Sequence, residues 1–279
     1  MKALLLHRPG DDYALTLADV PTPTPGPGEV RLRVRASSIN PVDHKFARSG
    51  AGLALPHVLG IDAAGEIDAL GPEVQGWRLG DRVMALTNLY RWGGFAQQVI
   101  VDARVLSRLP DALSFERAAA IPCAGLTAWQ AVHLKLNLRP GQTVLVSGAG
   151  GGVGGYVVQM AQQRGARVIG TTARSGERVR ALGAEAVIDY RQGDVVTQAM
   201  TLTQGRGVDA VRRASARVHP HADRHRATGH PHRIAAAGVF HRRCASHAGH
   251  CGVDRAVRHG QRWRWRSRPG TCAAAGRHG

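Results

Sequence analysis

Residues 143–155 read TVLVSGAGGGVGG, and this stretch decides the fold. The apolar run at 144–146 predicts a buried strand, and the glycines after it predict a tight turn. Beyond the turn, apolar residues return at helical spacing until Gly165, which is placed to end a helix. A strand, a glycine turn and a helix in this order favour dinucleotide binding, because the helix N-terminus offers free N–H groups and a partial positive charge to the phosphates.

Two registers of the fingerprint G-x-G-x-x-G fit these glycines. The literal match uses Gly150, Gly152 and Gly155, and the second match uses Ala149, Gly151 and Gly154. We prefer the second, since it leaves Gly151 at the close backbone approach to a pyrophosphate and Gly154 at the contact between helix and strand. The predicted phosphate-binding residues are therefore Ala149, Gly151, Gly152, Val153 and Gly154. A glycine-rich turn that binds no ligand is the alternative.

The sequence on both sides of this stretch predicts an α/β fold. Further strands are predicted at 167–172, 186–189 and 208–211, with helices at 177–182 and 194–204. This alternation implies a doubly wound parallel sheet of the Rossmann type with right-handed crossovers. Upstream, residues 1 to about 118 read as a β-rich module of short strands and turns, followed by a helical segment at 114–136.

Positive charge is concentrated at the end of the chain. The formal net charge is +17, and residues 211–279 hold 15 Arg, no Lys and only two acidic residues. That segment also lacks Leu, and neither helical nor strand periodicity continues through it, so it is not expected to build an ordinary core. Residues 1–210 have the composition of an ordinary soluble enzyme.

The cysteines and the apolar runs bear on location. Four cysteines without paired spacing favour a reducing compartment. No apolar run is long enough to span a bilayer, and the charge at His7 and Arg8 comes too early for a signal peptide. We therefore expect a cytoplasmic protein with no membrane partner.

Several separate motifs follow one another along the chain. They include VLGIDAAGEIDALGPEV at 58–74, AAAIPCAGLTAWQAV at 118–132, PGQTVLVSGAGGGVGGYVVQMA at 140–161 and ALGAEAVIDYR at 181–191. In this order they resemble the medium-chain dehydrogenase/reductase superfamily, and within it the zinc-independent, zeta-crystallin-like quinone oxidoreductases. The resemblance covers residues 1 to about 211. It implies a GroES-like catalytic domain at 1–118, a Rossmann domain at 119–211, and hydride transfer from NADPH to a quinone or an activated enone.

The resemblance also implies that no metal is bound. The zinc ligands of the superfamily's alcohol dehydrogenases fall at positions occupied here by Asn40, Ile61 and Cys123. A single thiol is not enough, because a catalytic zinc takes three protein ligands. The four-cysteine structural lobe is missing as well, since residues 84–95 contain no Cys. A zinc-type alcohol dehydrogenase-like enzyme is kept as an alternative.

The expected cofactor is NADPH. The second strand ends with TTARS at 171–175, which offers no acid to the ribose hydroxyls of NAD. Arg174 can bind a 2′-phosphate through paired N–H donors, and the Ser175 hydroxyl can add another. By resemblance, Ser175 occupies the position of a phosphate-binding Lys and Tyr190 packs at the same phosphate, and Thr172 completes the predicted set. The alternative is that Arg174 is a solvated surface residue.

Three residues are expected at the reaction site. By resemblance, Thr127 lies behind the nicotinamide ring. Asn40 stands where the zinc enzymes have metal, so its amide is expected to donate to the acceptor carbonyl in place of a Lewis acid. Asp43 is expected to orient neighbouring groups, with a structural turn role as the alternative. The expected partner is a small quinone or enone.

Residues 212–279 do not match the superfamily, and three interpretations compete. One is an Arg-rich tail that binds nucleic acid. Another is a metal site built from His241, Cys244, His247, His250 and Cys251. The third is translation in a shifted frame, which we favour. The family expects something like Val-Phe-Asp after Asp209-Ala210, and TTC GAC G read from its third base gives CGA CG, that is, the Arg-Arg found at 212–213.

A shifted frame has structural consequences. The tail is expected to be disordered, and the doubly wound sheet is expected to be incomplete, with its fourth strand left as an exposed edge. Homodimerisation is expected only for a complete sheet. The 279-residue chain is therefore predicted to be poorly stable and to have little reductase activity.

Overall fold

The computed structural model describes residues 1–212 and the backbone of three short strands within the remainder of the chain. Those three strands are β13 (Ala236–Ala237), β14 (Val257–His259) and β15 (Arg262–Arg264). The expectations for the tail, namely disorder, a shifted frame, nucleic-acid binding and a His/Cys metal site, lie outside the described residues.

The amino-terminal part of the chain is an antiparallel module, as the sequence predicts. Its strands are β1 (Lys2–Leu6), β2 (Leu15–Asp19), β3 (Glu29–Ala36), β4 (His57–Val58), β5 (Asp62–Leu70), β6 (Arg82–Leu86), β7 (Gln98–Asp102) and β8 (Leu106–Arg108). They form a five-stranded sheet of order β7-β3-β5-β6-β8 and a three-stranded sheet of order β2-β1-β4. We call this unit, with its helix α1, the antiparallel module.

Strand β3 shows why this module forms. Val30 and Leu32 are fully buried in the sheet core, whereas the alternating Arg31, Arg33 and Arg35 are partly or well exposed. The guanidinium of Arg31 donates to Asp68 on β5 at 2.7 Å. The predicted alternation of a half-buried strand is therefore confirmed.

Helix α1 (Pro41–Ser49) was not expected from the sequence. Asn40 is its N-cap in an extended conformation, Pro41 supplies a preset first helical turn, and the carboxylate of Asp43 accepts the backbone N–H of Asn40 at 2.7 Å. Gly50 ends the helix in the left-handed region, with φ of 60°. A cap residue, a proline and an acid three residues after the cap are a sequence signal for the start of a helix, although no helix was predicted here.

The rest of the described chain is the parallel module. It holds α2 (Phe115–Ala119), α3 (Pro122–Trp129), a π-helical segment (Gln130–Lys135), β9 (Thr143–Val146), α4 (Gly152–Gln163), β10 (Arg167–Thr172), α5 (Gly176–Ala181), β11 (Ala186–Asp189), α6 (Val195–Leu202) and β12 (Ala210–Arg212). Its sheet has the order β11-β10-β9-β12-β13, with all neighbours parallel. The predicted doubly wound α/β arrangement is confirmed, since the strand order reverses between β9 and β12.

The last strand of this sheet corrects one expectation. The fourth strand was expected to be an open edge, but Val211 pairs with Ala236 and Arg212 pairs with Ala237. Strand β12 also continues to Arg212, one residue past the predicted end of the domain. The described part of this sheet has five strands, so a sixth strand of a complete doubly wound sheet is not among the described residues.

Arg212 occupies an unusual place for a charged residue. Only 6% of it is exposed, and its Nε and Nη1 atoms have no hydrogen-bond partner among the described residues. Burial lowers the pKa of its guanidinium. Its carbonyl oxygen accepts the N–H of Ser147 at 2.9 Å, so the backbone of the strand pairs normally although the buried side chain lacks partners for two of its nitrogens among the described residues.

Among the described helices, none is long and apolar enough to cross a membrane.

Candidate functional site

The glycine turn after β9 lies at the centre of the parallel module. Gly148 has φ of 66°, a left-handed conformation that favours glycine, and Gly151 is the N-cap of α4. The N–H of Gly155 donates to the carbonyl of Gly151 at 2.9 Å. The amides of residues 152–154 therefore precede the first intrahelical hydrogen bond and point out of the helix end.

Close packing distinguishes the two registers of the fingerprint. A Cβ atom at Gly154 would lie 2.1 Å from the carbonyl oxygen of Gly148, so the first turn of α4 approaches the glycine turn as only glycine allows. A Cβ at Gly155 would meet the end of the Leu182 side chain at 3.3 Å and the carbonyl oxygen of Ala149 at 3.8 Å, an ordinary contact distance. The contact between helix and turn thus belongs to Gly154, as in the preferred register. The phosphate-binding roles remain predictions.

A cleft opens at the carboxyl ends of β9, β10 and β11. Its volume is about 560 Å³, and its lining includes Gly148, Gly150, Gly151, Thr172, Arg174 and Ser175, with Tyr190 and Arg191 at its side. The structure therefore brings together Gly151, Thr172, Arg174, Ser175 and Tyr190 from the predicted set. Ala149 is fully buried below this surface, and residues 152–154 begin the adjoining helix.

The lining of the cleft is positive. It contains two arginines and no acidic side chain. Arg191 is bound to Asp189 at 2.7 Å, and this hydrogen bond lowers the pKa of Asp189 to about 2. Arg174 is exposed and has no ion pair within residues 1–212. Its guanidinium is available to an anion in the cleft.

A second group of polar residues lies where the two modules meet. Asp62, at the start of β5, is 1% exposed and accepts three hydrogen bonds from neutral groups. Its Oδ2 accepts from the Ser38 hydroxyl at 2.5 Å and from the Asn40 amide at 2.8 Å. Its Oδ1 accepts from the backbone N–H of Cys123 in α3 at 2.8 Å. Two of the three positions expected to hold zinc in the zinc enzymes, Asn40 and Cys123, thus donate to one carboxylate, whereas the N–H of Ile61 donates to Asp43.

The role expected of Asn40 conflicts with this geometry. Its Nδ2 donates to Asp62 Oδ2 at 2.8 Å and to Ser38 Oγ at 3.1 Å, so both amide hydrogens are engaged. Only the amide oxygen remains, and it can accept but not donate. Donation from Asn40 to an acceptor carbonyl would require one of these two bonds to break. The sequence around Asn40 does not reveal this, because its partner Asp62 lies 22 residues further along the chain.

The carboxylate of Asp43 accepts hydrogen bonds from backbone N–H groups rather than from side chains. It is 3% exposed, and besides the N–H of Asn40 it accepts the N–H groups of Gly60 and Ile61, each at 3.2 Å. It therefore ties the start of α1 to the segment between β4 and β5. Both the expected orienting role and the structural alternative are consistent with these contacts.

Burial controls the protonation of this corner. It raises the pKa of both Asp43 and Asp62, against the effect of the hydrogen bonds that each accepts. Burial, with smaller contributions from the two carboxylates, raises the pKa of the Cys123 thiol to about 11. Cys123 is therefore a neutral thiol at physiological pH. Within residues 1–212, no group of three His, Cys, Asp or Glu side chains is arranged to hold a metal ion.

Thr127 lies on α3, one turn after Cys123. Its hydroxyl donates to the carbonyl of Cys123 at 2.7 Å, which leaves its oxygen as an acceptor. The same helix meets the start of α4, since a Cβ at Gly152 would lie 3.9 Å from the Cβ of Ala124. Helix α3 thus connects the Asp62 corner with the glycine turn.

Sequence reasoning missed three residues of this site. They are Ser38, Asp62 and Tyr156. Burial and the charge of Asp62 raise the pKa of the Tyr156 hydroxyl. A signal for Asp62 existed, because it is the one charged residue within the otherwise apolar run VLGIDAAG at 58–65. Ser38 and Tyr156 carried no such signal.

Each module matches a known protein family. The family model "Alcohol dehydrogenase GroES-like domain" matches residues 26–111, and "Zinc-binding dehydrogenase" matches residues 152–254, which extends past the end of the expected resemblance. A crystal structure of an NAD-dependent alcohol dehydrogenase is 38% identical with a TM-score of 0.72, and the match covers 76% of this chain and 70% of that one. The mycobacterial protein Rv1454c, solved in complex with NADPH, is 32% identical with a TM-score of 0.69, covering 76% and 66%.

The curated relatives are longer than the region that matches. The quinone oxidoreductase of Pseudomonas aeruginosa is 37% identical over 177 residues, which cover 62% of this chain and 53% of that protein. The phthioceranic/hydroxyphthioceranic acid synthase of Mycobacterium tuberculosis is also 37% identical, over 75% of this chain but only 10% of its own length. The chain thus spans about half of the first and a tenth of the second. With its GroES-like and Rossmann-like sheets, the chain belongs to the medium-chain dehydrogenase/reductase superfamily, among its quinone oxidoreductase-like members.

Proposed function

We propose that this chain is built for NADPH-dependent hydride transfer to a quinone or an activated enone. The proposal rests on one observation, namely that α3 connects two features of the site. One is a positive cleft beside a glycine turn, and the other is a buried polar corner formed by Asn40, Asp43 and Asp62. Quinone oxidoreductases among its relatives support the choice of acceptor.

The residues of the cleft fit a dinucleotide. A Cβ at Gly150 would lie 2.9 Å from Thr172 Oγ1, so this glycine keeps the floor of the cleft open between the turn and β10. The amides of residues 152–154 would face the pyrophosphate, and Arg174 and Ser175 would take the 2′-phosphate, with Tyr190 beside them. When bound, the nicotinamide supplies the hydride.

The residues of the polar corner hold and orient the acceptor. Thr127 would support the nicotinamide from α3. Asn40 would line the acceptor side of the pocket, with its N–H groups engaged by Asp62 and Ser38. Asp43 fixes the backbone on which Asn40 stands. For a quinone, the single proton that completes the reduction after hydride transfer can come from water, because the reduced quinone oxygen is protonated readily in solution.

Cofactor preference gives the first test. The full chain should bind NADPH more tightly than NADH, because the cleft presents Arg174 and no acid. Arg174→Ala should reduce the difference, since a charge-assisted contact contributes about 1.5–3 kcal/mol and the exposure of this residue places it at the low end. The measurement is the dissociation constant of each cofactor from protein fluorescence. The matched control is Arg180→Ala, an exposed arginine of α5 outside the cleft lining. Equal affinities in the unmodified chain would reject NADPH as the cofactor.

Metal content gives the second test. The purified full chain should hold no stoichiometric zinc at the Asn40, Asp62 and Cys123 corner, and chelators should leave its reductase activity intact, because one neutral thiol does not make a three-ligand site. The measurement is elemental analysis together with activity before and after chelation. One tightly bound zinc per chain that disappears in Cys123→Ser would favour the zinc-type enzyme instead.

A further inference from the structure

The carboxylate of Asp62 joins two parts of the site that come from different modules. We propose that Asp62 is a positioning residue, which fixes Asn40 on the acceptor side relative to α3 and Thr127 on the cofactor side. The inference rests on the proposed function for its catalytic meaning, while the structural link that it describes can be measured separately.

The hydrogen bonds of Asp62 show that its buried carboxylate is surrounded by fixed donors. It has no salt bridge within residues 1–212, and its carboxylate instead accepts from the Ser38 hydroxyl, the Asn40 amide and the Cys123 backbone. A buried carboxylate without a cation is stable only when donors are placed around it. Each donor is in turn held in place by the charge. Replacing a buried ionised group by a well-packed apolar residue is often neutral or stabilising, so the role inferred for this carboxylate is to orient its donors.

On the cofactor side, Asp62 caps a helix across the module boundary. Helix α3 begins at Pro122, which has no N–H, and its N-cap Ile121 has no side chain that can accept a hydrogen bond. The N–H of Cys123 is therefore a first-turn donor that needs a partner, and Asp62 Oδ1 accepts it at 2.8 Å. A carboxylate at this end of the helix is also favoured by the helix dipole.

The link continues to Thr127. The carbonyl of Cys123 accepts the Thr127 hydroxyl at 2.7 Å, so Cys123 is held at its N–H by Asp62 and at its C=O by Thr127. On the acceptor side, the other oxygen of Asp62 holds the amide of Asn40. One carboxylate thus sets the distance between the two groups that would flank the reacting atoms, and this distance controls the rate of hydride transfer.

The decisive variant is Asp62→Asn in the full chain. Its side chain has the same shape, but one of its two terminal groups becomes a donor and faces either Asn40 or the Cys123 N–H. The single-turnover rate of NADPH oxidation by 1,4-benzoquinone should fall about 10- to 100-fold, because small misplacements of reacting groups have effects of this size. The KM for the quinone and the Kd for NADPH should change less than about threefold, since Asp62 lies outside the cleft lining. Hydrogen–deuterium exchange of the peptide containing Cys123 should accelerate at least about tenfold.

The matched control is Asp68→Asn on the same strand. Asp68 is a partly buried carboxylate, with a side chain 9% exposed, but its partners are two arginines, Arg31 at 2.7 Å and Arg33 at 4.0 Å, and Gln98 at 2.8 Å. Both variants should lose stability, and only Asp62→Asn should lose rate and expose the Cys123 amide. An equal loss of rate in both variants, or unchanged exchange at Cys123, would overturn the inference. If the unmodified chain reduces no quinone or enone with NADPH, the proposed function fails, and exchange at Cys123 alone decides whether Asp62 holds α3.

Discussion

Arg212→Phe should make the protein markedly more stable. The substitution restores the residue that the superfamily is expected to carry after Asp209-Ala210-Val211. Two nitrogens of the Arg212 guanidinium are buried without partners among the described residues, and each unsatisfied buried donor costs about 1–3 kcal/mol, with more for a charged group. We therefore expect a gain of at least about 2 kcal/mol in the free energy of unfolding, measured by urea denaturation of the full chain.

The control for this substitution is Arg178→Phe. Arg178 is exposed on α5 and has no ion pair within residues 1–212, so its replacement should change the free energy of unfolding by less than about 0.5 kcal/mol. A loss of stability in Arg212→Phe would mean that the guanidinium has a favourable partner and that this arginine belongs in the fold.

Restoring the reading frame after Ala210 should produce the second large effect. Strand β12 pairs on its outer side at only two residues, and the described residues of the sheet include no sixth strand. The strands that follow the fourth form the far side of the nicotinamide pocket in a doubly wound domain. The restored chain should therefore melt cooperatively at a higher temperature, and its quinone reductase activity should rise by roughly a hundredfold or more, as expected when reacting groups become properly placed.

Two measurements complete this comparison. Calorimetry and NADPH oxidation are recorded for the 279-residue chain and for the restored chain at equal concentration. A 279-residue protein that is soluble, melts cooperatively and matches the restored chain in activity would show that the present C-terminal sequence is functional, and the frame-shift interpretation would be abandoned.

Local patterns were enough to predict most of the fold. The alternation of apolar and basic residues in β3, and the succession of strands and helices after the glycine turn, each depend on neighbours a few residues apart. The cofactor-side residues were also predictable, because parallel strands place their carboxyl ends at one edge of the sheet. Thr172, Arg174, Ser175 and Tyr190 accordingly line one cleft.

The polar corner was harder to predict because its contacts are distant in sequence. Asp62 accepts from Asn40, 22 residues before it, and from Cys123, 61 residues after it. No local pattern encodes such a pair, so the expectation that Asn40 donates to the acceptor was formed without its strongest partner. Helix α1 was missed for a different reason, since its cap signal was present but was outweighed by the surrounding strand patterns.

The hydrogen bond between Asp62 and Cys123 also limits how the two modules can move. It joins a strand of the antiparallel module directly to the backbone of α3, at one corner of the interface. Pulling the modules apart there would leave a buried oxygen of Asp62 without its donor, whereas a rotation about Cys123 would keep the hydrogen bond intact. This corner therefore anchors α3 to the antiparallel module, and we expect any relative motion of the two modules to be a rotation that keeps this hydrogen bond.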